Sequence, residues 1–366
     1  MENYVFFDYF TYTVRIKEIQ DIFELMGVDE EIFQHTNSGK NHYTHTYSFE
    51  NVFRIMYCEM DERSKDKYLI TSEKAYEVNI NMTGRIIREF SYISSFSSCF
   101  EMLNELRKSK YLLAPINFTR VDFTKDDKDG LLDLDVLERK ASVGQVATRF
   151  SATILKSMQD KDTRKYYGKT IYFGSKDSNS EFFIRIYNKS AEQYAKKLLT
   201  ESSLEEHHTR VEMVFKKAVQ ANKLMEKVFT CYEQKQPVGV LYSEILVGKL
   251  KILKNGKKPG QRYEENIKNL DSKYKKFLDS TKKQTLGVET ATSTIETKID
   301  YYKKMDKLVA MIYDAMGEEE FVKMTEVMLQ TGRAKRQILE QKEVEEYKKR
   351  NSDVDSERVP EELVKN

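Results

Sequence analysis

The chain has 366 residues, 40% hydrophobic and 33% charged, with a formal net charge of +2, a balance that fits a folded soluble protein and excludes disorder as its overall state. No apolar run approaches the ~20 residues of a membrane helix, and Glu2 and Asp8 among the first aromatics are unlike a secretory signal, so a cytoplasmic protein without a membrane partner is expected. Cys58, Cys99 and Cys231 are scattered, with no CxxC pair and no histidine at zinc spacing, which excludes a disulfide framework and a structural zinc.

Residues 4–15 are rich in aromatic and β-branched side chains and predict a strand. Ile19, Ile22, Phe23 and Leu25 then mark a helix that stops at Gly27. Residues 43–90 alternate and hold several strands, among them 76–81, and a helical stripe over 100–106 precedes a strand at Arg120. The second half predicts a helix over 133–146, strands at 170–173 and 181–187, a helix over 192–199, a strand at Arg210 and a helix through Val219, Leu224 and Val228. This order predicts an α+β fold of two ferredoxin-like or RNA-recognition-like halves, about 1–130 and 131–242. They would join edge to edge in a largely antiparallel sheet with flanking helices and form a nicking domain over 1–242.

Beyond Tyr242 the pattern turns mainly helical, with a turn signal over 255–260 and an amphipathic stretch from 295 to about 347. Residues 243–350 are expected to form a basic helical region for DNA binding and dimerisation, and the polar residues 351–366 a disordered tail. Within residues 249–283, twelve Lys or Arg stand against four Asp or Glu, a local net of +8. Lys249, Lys251, Lys254, Lys257, Lys258, Arg262, Lys273, Lys275 and Lys276, interleaved with Tyr263, Tyr274 and Phe277, are the expected contacts to DNA phosphates and bases.

Two short segments echo each other, Arg120-Val121-Asp122-Phe123 and Arg210-Val211-Glu212-Met213, and between them lies a run from Phe182 to Lys189. On strands, period-two alternation puts Asp122 and Glu212 on the faces opposite their apolar neighbours, and Arg185 with Tyr187 opposite Ile184 and Ile186. Acids, arginines and one tyrosine on one surface suit metal-assisted attack of a tyrosine hydroxyl on a phosphodiester. Arg185 and Lys189 would hold the phosphate and ease ionisation of a phenol whose free pKa is ~10. Asp122 and Glu212 are hard oxygen ligands suited to Mg²⁺ or Mn²⁺, and Asp126, four residues on, is a further candidate.

Other motifs carry less. His42-Tyr-Thr-His45 would point its rings to opposite faces of a strand, so it lacks the His-hydrophobic-His pattern of histidine-based nickases. His207 and His208 are adjacent and would diverge on a strand, and their position just before Arg210 places one near the proposed site as a candidate ligand or proton-transfer group. Gly168-Lys169-Thr170 ends like a phosphate-binding loop, but Thr163 replaces the first glycine and a strand follows, which argues against ATP binding.

The segments Asn117-Phe-Thr-Arg-Val-Asp-Phe-Thr-Lys-Asp126, Thr170-Ile-Tyr-Phe-Gly-Ser-Lys-Asp-Ser-Asn179 with Phe183-Ile-Arg-Ile-Tyr-Asn-Lys189, and Thr209-Arg-Val-Glu-Met213 resemble, in this order, the replication initiation factor family. Its members are rolling-circle plasmid initiators of Gram-positive bacteria and related relaxases of integrative conjugative elements. The resemblance implies Tyr187 as catalytic tyrosine, Asp122 and Glu212 at acidic positions tied to a divalent metal, a homodimer, and recruitment of a host DNA helicase. It also implies origin specificity in the C-terminal part. Thr124-Lys125 departs from the small apolar residues usual in the family's first strand motif. The expected activity is nicking and rejoining at a hairpin origin with a single-stranded nick site, through a 5′-phosphotyrosyl intermediate that leaves a 3′ hydroxyl. A conjugative relaxase with the same chemistry is the alternative, and a non-catalytic origin-binding protein the second.

Overall fold

The computed structural model describes residues 4–58, 76–159, 166–175, 180–195, 207–256, 262–284, 286, 306–334, 336 and 338–352. They belong to two compact units, Met1–Thr290 and Ala291–Asn366, so the described residues between 243 and 286 fall in the same unit as the sheet.

In the first half of the larger unit the chain forms β1 (Val5–Ile16), α1 (Asp21–Met26), β2 (Gln34–Thr36), β3 (His45–Phe49), β4 (Phe53–Tyr57), β5 (Tyr76–Thr83), α2 (Gly84–Arg88), α3 (Cys99–Leu106) and β6 (Asn117–Asp127). It continues through α4 (Leu134–Ser142), β7 (Val146–Thr148), β8 (Thr153–Gln159), β9 (Tyr166–Phe173), β10 (Phe182–Asn188), α5 (Lys189–Ala195) and β11 (Thr209–Phe215). The unit closes with α6 (Ala218–Glu233), α7 (Val238–Lys249), β12 (Leu250–Ile252) and α8 (Ser272–Lys282). Ten strands make one sheet in the order β2-β3-β4-β5-β1-β6-β11-β10-β9-β8, and β7 pairs with β12 apart from it. The sheet's pairings are antiparallel.

The neighbours β6-β1-β5-β4 have the arrangement of the βαββαβ unit predicted for the first half. The second half is not its duplicate. There β11, β10, β9 and β8 are neighbours in reverse chain order, a meander with α5 placed before its last strand. The difference arises at β8 and β9, which pair antiparallel over 153–159 and 166–173 where the sequence predicted one strand over 170–173.

Alternation sorts the sheet into two faces. Phe10, Val121, Phe123, Val211, Met213, Ile184 and Ile186 are buried on one. The Tyr242 ring of α7 meets Phe123 edge-on at 5.1 Å, and its hydroxyl donates to the Val211 carbonyl at 2.8 Å. Helix α6 joins the same face, where Phe229 lies 6.3 Å from Phe118 and the Asn222 side chain accepts from the Phe118 amide. At Gly239 a Cβ would stand 1.8 Å from the Thr281 carbonyl oxygen, so α7 and α8 approach too closely for any side chain there. Helix starts are fixed locally: the carboxylates of Asp133 and Asp271 accept the first free amides of α4 and α8.

The smaller unit contains α9 (Asp306–Met316), α10 (Glu318–Ala334) and α11 (Ile338–Ser352). Gly317, at φ 79°, ends α9 and divides what the sequence presents as one amphipathic stretch. Of the expected tail, residues 353–366 lie outside the described residues. Among the described residues no helix is long and apolar enough to cross a membrane.

Candidate active site

The face opposite the helical core carries the predicted site. Arg185 stands opposite Glu212 and Tyr187 opposite Arg210 in the β10–β11 register, and across the next ladder Glu212 faces Thr124 and Arg210 faces Asp126. Asp122 stands opposite Tyr9, next to a bulge in β1 that makes Asp8 an extra residue between Phe7 and Tyr9. The four strands β10, β11, β6 and β1 thus bring Tyr187, Arg185, Glu212, Asp122 and Asp126 to one surface, as the alternation predicted.

Tyr187 is buried, and its hydroxyl donates to Oε1 of the fully buried Glu212 at 2.6 Å. The other oxygen of Glu212 accepts from Arg185, whose Nε is 2.7 Å away and whose terminal nitrogen also reaches it. The Arg185 guanidinium lies 4.8 Å from the centre of the Tyr187 ring. Burial, reinforced by the charge of Glu212, pushes the Tyr187 phenol well above its ordinary pKa. Burial also raises Glu212, against the opposing pull of Arg185. The resting site therefore holds a protonated tyrosine hydrogen-bonded to a carboxylate with raised proton affinity.

The two other acids are also held by arginines. Arg120 grips both oxygens of Asp122 through Nε at 2.9 Å and a terminal nitrogen at 2.8 Å. Arg210, with no exposed surface, grips Asp126 at 2.6 and 2.8 Å and has Asp8 at 3.4 Å. Burial alone would raise Asp126, but Arg210 and His208 outweigh it and hold that carboxyl far below the usual range. Burial raises Asp122 in spite of Arg120. Among the described residues no three His, Cys, Asp or Glu side chains converge as metal ligands. As arranged, Asp122, Asp126 and one oxygen of Glu212 accept from guanidinium groups and the other Glu212 oxygen accepts from Tyr187, so the three acids do not fit a divalent cation.

The remaining candidates flank these pairs. Lys189 opens α5, pairs with Glu192 at 2.7 Å and stands 5.8 Å from the Tyr187 ring. His208 lies 3.0 Å from Asp126, and His207 lies 3.3 Å from Asp127, so the two rings diverge to different acids. Sequence reasoning assigned no role to Asp8, Tyr9, Arg120 or Arg210. The arginines were visible in the repeated Arg-Val-acid segments, whereas Asp8 and Tyr9 join the site through a bulge with no sequence signature.

The basic segment divides. Lys249, Lys254, Arg262, Lys273, Lys275 and Lys276 are exposed. Lys251 is not: it is 4% exposed, with its ammonium 3.2 Å from the Tyr263 ring centre and Arg149 at 4.8 Å from the same ring. Burial lowers it to about 8, and its place is structural instead of facing DNA. Tyr274 and Phe277 are core residues of α8, Tyr274 donating to the Leu250 carbonyl at 2.7 Å, so they are not base-stacking side chains. Lys257 and Lys258 lie outside the described residues.

The chain is similar to several known proteins. A "Putative DNA relaxase NicK" of Bacillus subtilis (strain 168) is 26% identical over 190 residues, which is 52% of this chain and 49% of the relative, so about half of that protein's length is matched. A solved rolling circle replication initiator protein from Geobacillus stearothermophilus shares the fold, with a TM-score of 0.61 at 17% identity over 79% of this chain and 99% of that one. The profile of the family described as replication initiation factor matches residues 116–330, more than half of the chain, including β6, β10 and β11 but not β1. On that match the chain belongs to the replication initiation factor family.

Proposed function

We propose that this protein is a site-specific DNA nickase and strand transferase that initiates rolling-circle replication through Tyr187. The observation that carries this reading is the 2.6 Å hydrogen bond from the Tyr187 hydroxyl to Glu212, beside a guanidinium with an exposed outer edge. In the reaction the Tyr187 oxygen attacks the scissile phosphorus while its proton passes to Glu212. The bond from phosphorus to the 3′ oxygen breaks, and that oxygen leaves as a 3′ hydroxyl after taking up a proton. The 5′ phosphate stays on Tyr187 as a phosphodiester, so attack by a 3′ hydroxyl reverses the step and no nucleotide cofactor is consumed. Arg185, with Lys189 beside the Tyr187 ring, stabilises charge on the non-bridging oxygens. The raised affinities of the phenol and of Glu212 match this order of events, in which the proton moves during attack instead of before it.

The sequence expectation of Mg²⁺ or Mn²⁺ enters no step, because the carboxylates are engaged by arginines and, at Glu212, by Tyr187 as well. Origin DNA is the proposed substrate, with the exposed lysines of α8 as duplex contacts. A homodimer and a host helicase remain part of the proposal through the family resemblance, and a conjugative relaxase would use the same residues.

The test is a covalent adduct between the purified protein and a single-stranded oligonucleotide carrying its nick site. Wild type should form it, and Tyr187→Phe should not while still binding the oligonucleotide. Normal adduct formation by Tyr187→Phe would move the nucleophile elsewhere, to Tyr172 opposite Arg185 or to Tyr194 in α5.

A further inference from the structure

Arg120 has so far served only as the partner of Asp122, but its surroundings repeat those of Arg185. Each guanidinium spends Nε and one terminal nitrogen on a buried carboxylate, and each lies on a tyrosine ring, Arg120 at 4.5 Å over Tyr9 and Arg185 at 4.8 Å over Tyr187. Guanidinium carries five N–H donors. A two-point grip on a carboxylate leaves three of them, and in neither arginine do these meet another described residue. The free edges face solvent: the side chains of Arg120 and Arg185 are 42% and 30% exposed, against 5% and 0% for Asp122 and Glu212. The Tyr9 hydroxyl donates to Asn81, which also accepts from Thr11 at 2.8 Å, so the ring beneath Arg120 is itself anchored. The two arginines stand on the same sheet face and feel each other's charge.

A carboxylate buried behind an exposed guanidinium fixes the direction in which the remaining donors point, which is how arginine is prepared to take a phosphate. We propose that Arg120 is a second phosphate-binding residue, forming with Arg185 a clamp on one DNA strand in which Arg185 takes the phosphate attacked by Tyr187 and Arg120 takes a flanking one. This rests on the nicking reading for its substrate and adds a positioning residue to it. Asp122 then acts through Arg120, holding it in place.

The experiment measures binding of a fluorescent single-stranded oligothymidylate as a function of salt, in full-length protein carrying Tyr187→Phe so that no adduct forms. Adding Arg120→Gln should weaken binding roughly ten-fold and flatten the slope of log affinity against log salt by about 0.7, the value for one phosphate contact on a single strand. Arg120→Lys, which keeps the charge but not the two-point geometry, should keep the slope and lose part of the affinity. A merely structural Arg120 would lower the melting temperature without moving the slope. An unchanged slope in folded Arg120→Gln overturns the proposal; if that variant does not fold, full affinity in Arg120→Lys does so. The nicking reading fails separately, if the protein with Tyr187 intact forms no adduct while the Arg120→Gln slope still flattens.

Discussion

Replacing Glu212 with Gln separates the chemistry of this site from its architecture. Glutamine keeps the size of the side chain and one acceptor oxygen, but its amide nitrogen is a donor and must face either the Tyr187 hydroxyl or the Arg185 guanidinium, both donors in the native pairings. Breaking a buried ion pair costs about 3–5 kcal/mol when the orphaned charge stays dry. Arg185 is 30% exposed, so water takes over part of its charge, and a loss of about 1–3 kcal/mol is expected. At about 2–4 °C per kcal/mol, as in domains of 150–250 residues, the melting temperature should fall by several degrees. The chemical effect should be larger, since losing a proton acceptor costs about 10²–10⁴ in rate. Single-turnover adduct formation, resolved by denaturing electrophoresis at a temperature where both proteins are folded, reads this directly. A Glu212→Gln protein with a lowered melting temperature but an adduct rate within about three-fold of wild type would refute the proton-transfer role.

Other perturbations test neighbouring parts. On the proposed mechanism adduct formation needs ionised Glu212, whose pKa burial raises, so the acid limb of the pH–rate profile should lie above the ordinary glutamate value of ~4.3; a limb at or below that value would contradict the assignment. Asp126→Asn leaves fully buried Arg210 without its main partner and should cost about 3–5 kcal/mol in urea unfolding. Because the folded pKa of Asp126 is depressed, its contribution is present above the unfolded value of ~3.9 and is lost as pH falls from there toward the folded value. The unfolding midpoint of wild type should therefore drop over that range more steeply than that of the variant. Neutralising Lys273, Lys275 and Lys276 together, all exposed on α8, should flatten the salt slope of duplex-origin binding by about 2–3 and leave single-stranded nicking intact; equal loss of both would argue against separate roles. Gly239→Ala should destabilise markedly in thermal unfolding, because its Cβ meets a backbone oxygen that no rotamer change can move.

The face carrying the site was legible because period-two alternation is insensitive to small errors in strand ends: Tyr187, Arg185, Glu212, Asp122 and Asp126 needed only parity to land together. What each acid touches was not legible. Arg120 reaches two residues along its own strand, whereas Arg210 reaches across a ladder, where only the register decides which carboxylate a long side chain meets. The basic segment misled in a different way. Tyr274, Phe277, Leu278 and Thr281 are spaced as the buried stripe of a helix, and that spacing outweighs the composition which made the aromatics look like stacking groups. The predicted second βαββαβ unit failed because β8 is amphiphilic in neither register, with Ile154, Leu155 and Lys156 all exposed, so no alternation announced it.

The pairing of β6 with β11 joins strands whose partners, such as Asp126 and Arg210 or Thr124 and Glu212, lie more than eighty residues apart in the chain. A ribosome must therefore have released both halves before Asp126 finds its arginine, whereas Tyr187 meets Glu212 as soon as β11 joins β10. Closing so long a loop is also a late and entropically costly event in folding. On the proposed nicking reading, cutting power belongs to the finished fold: a chain stalled before β11 carries Tyr187 without the carboxylate proposed to take its proton.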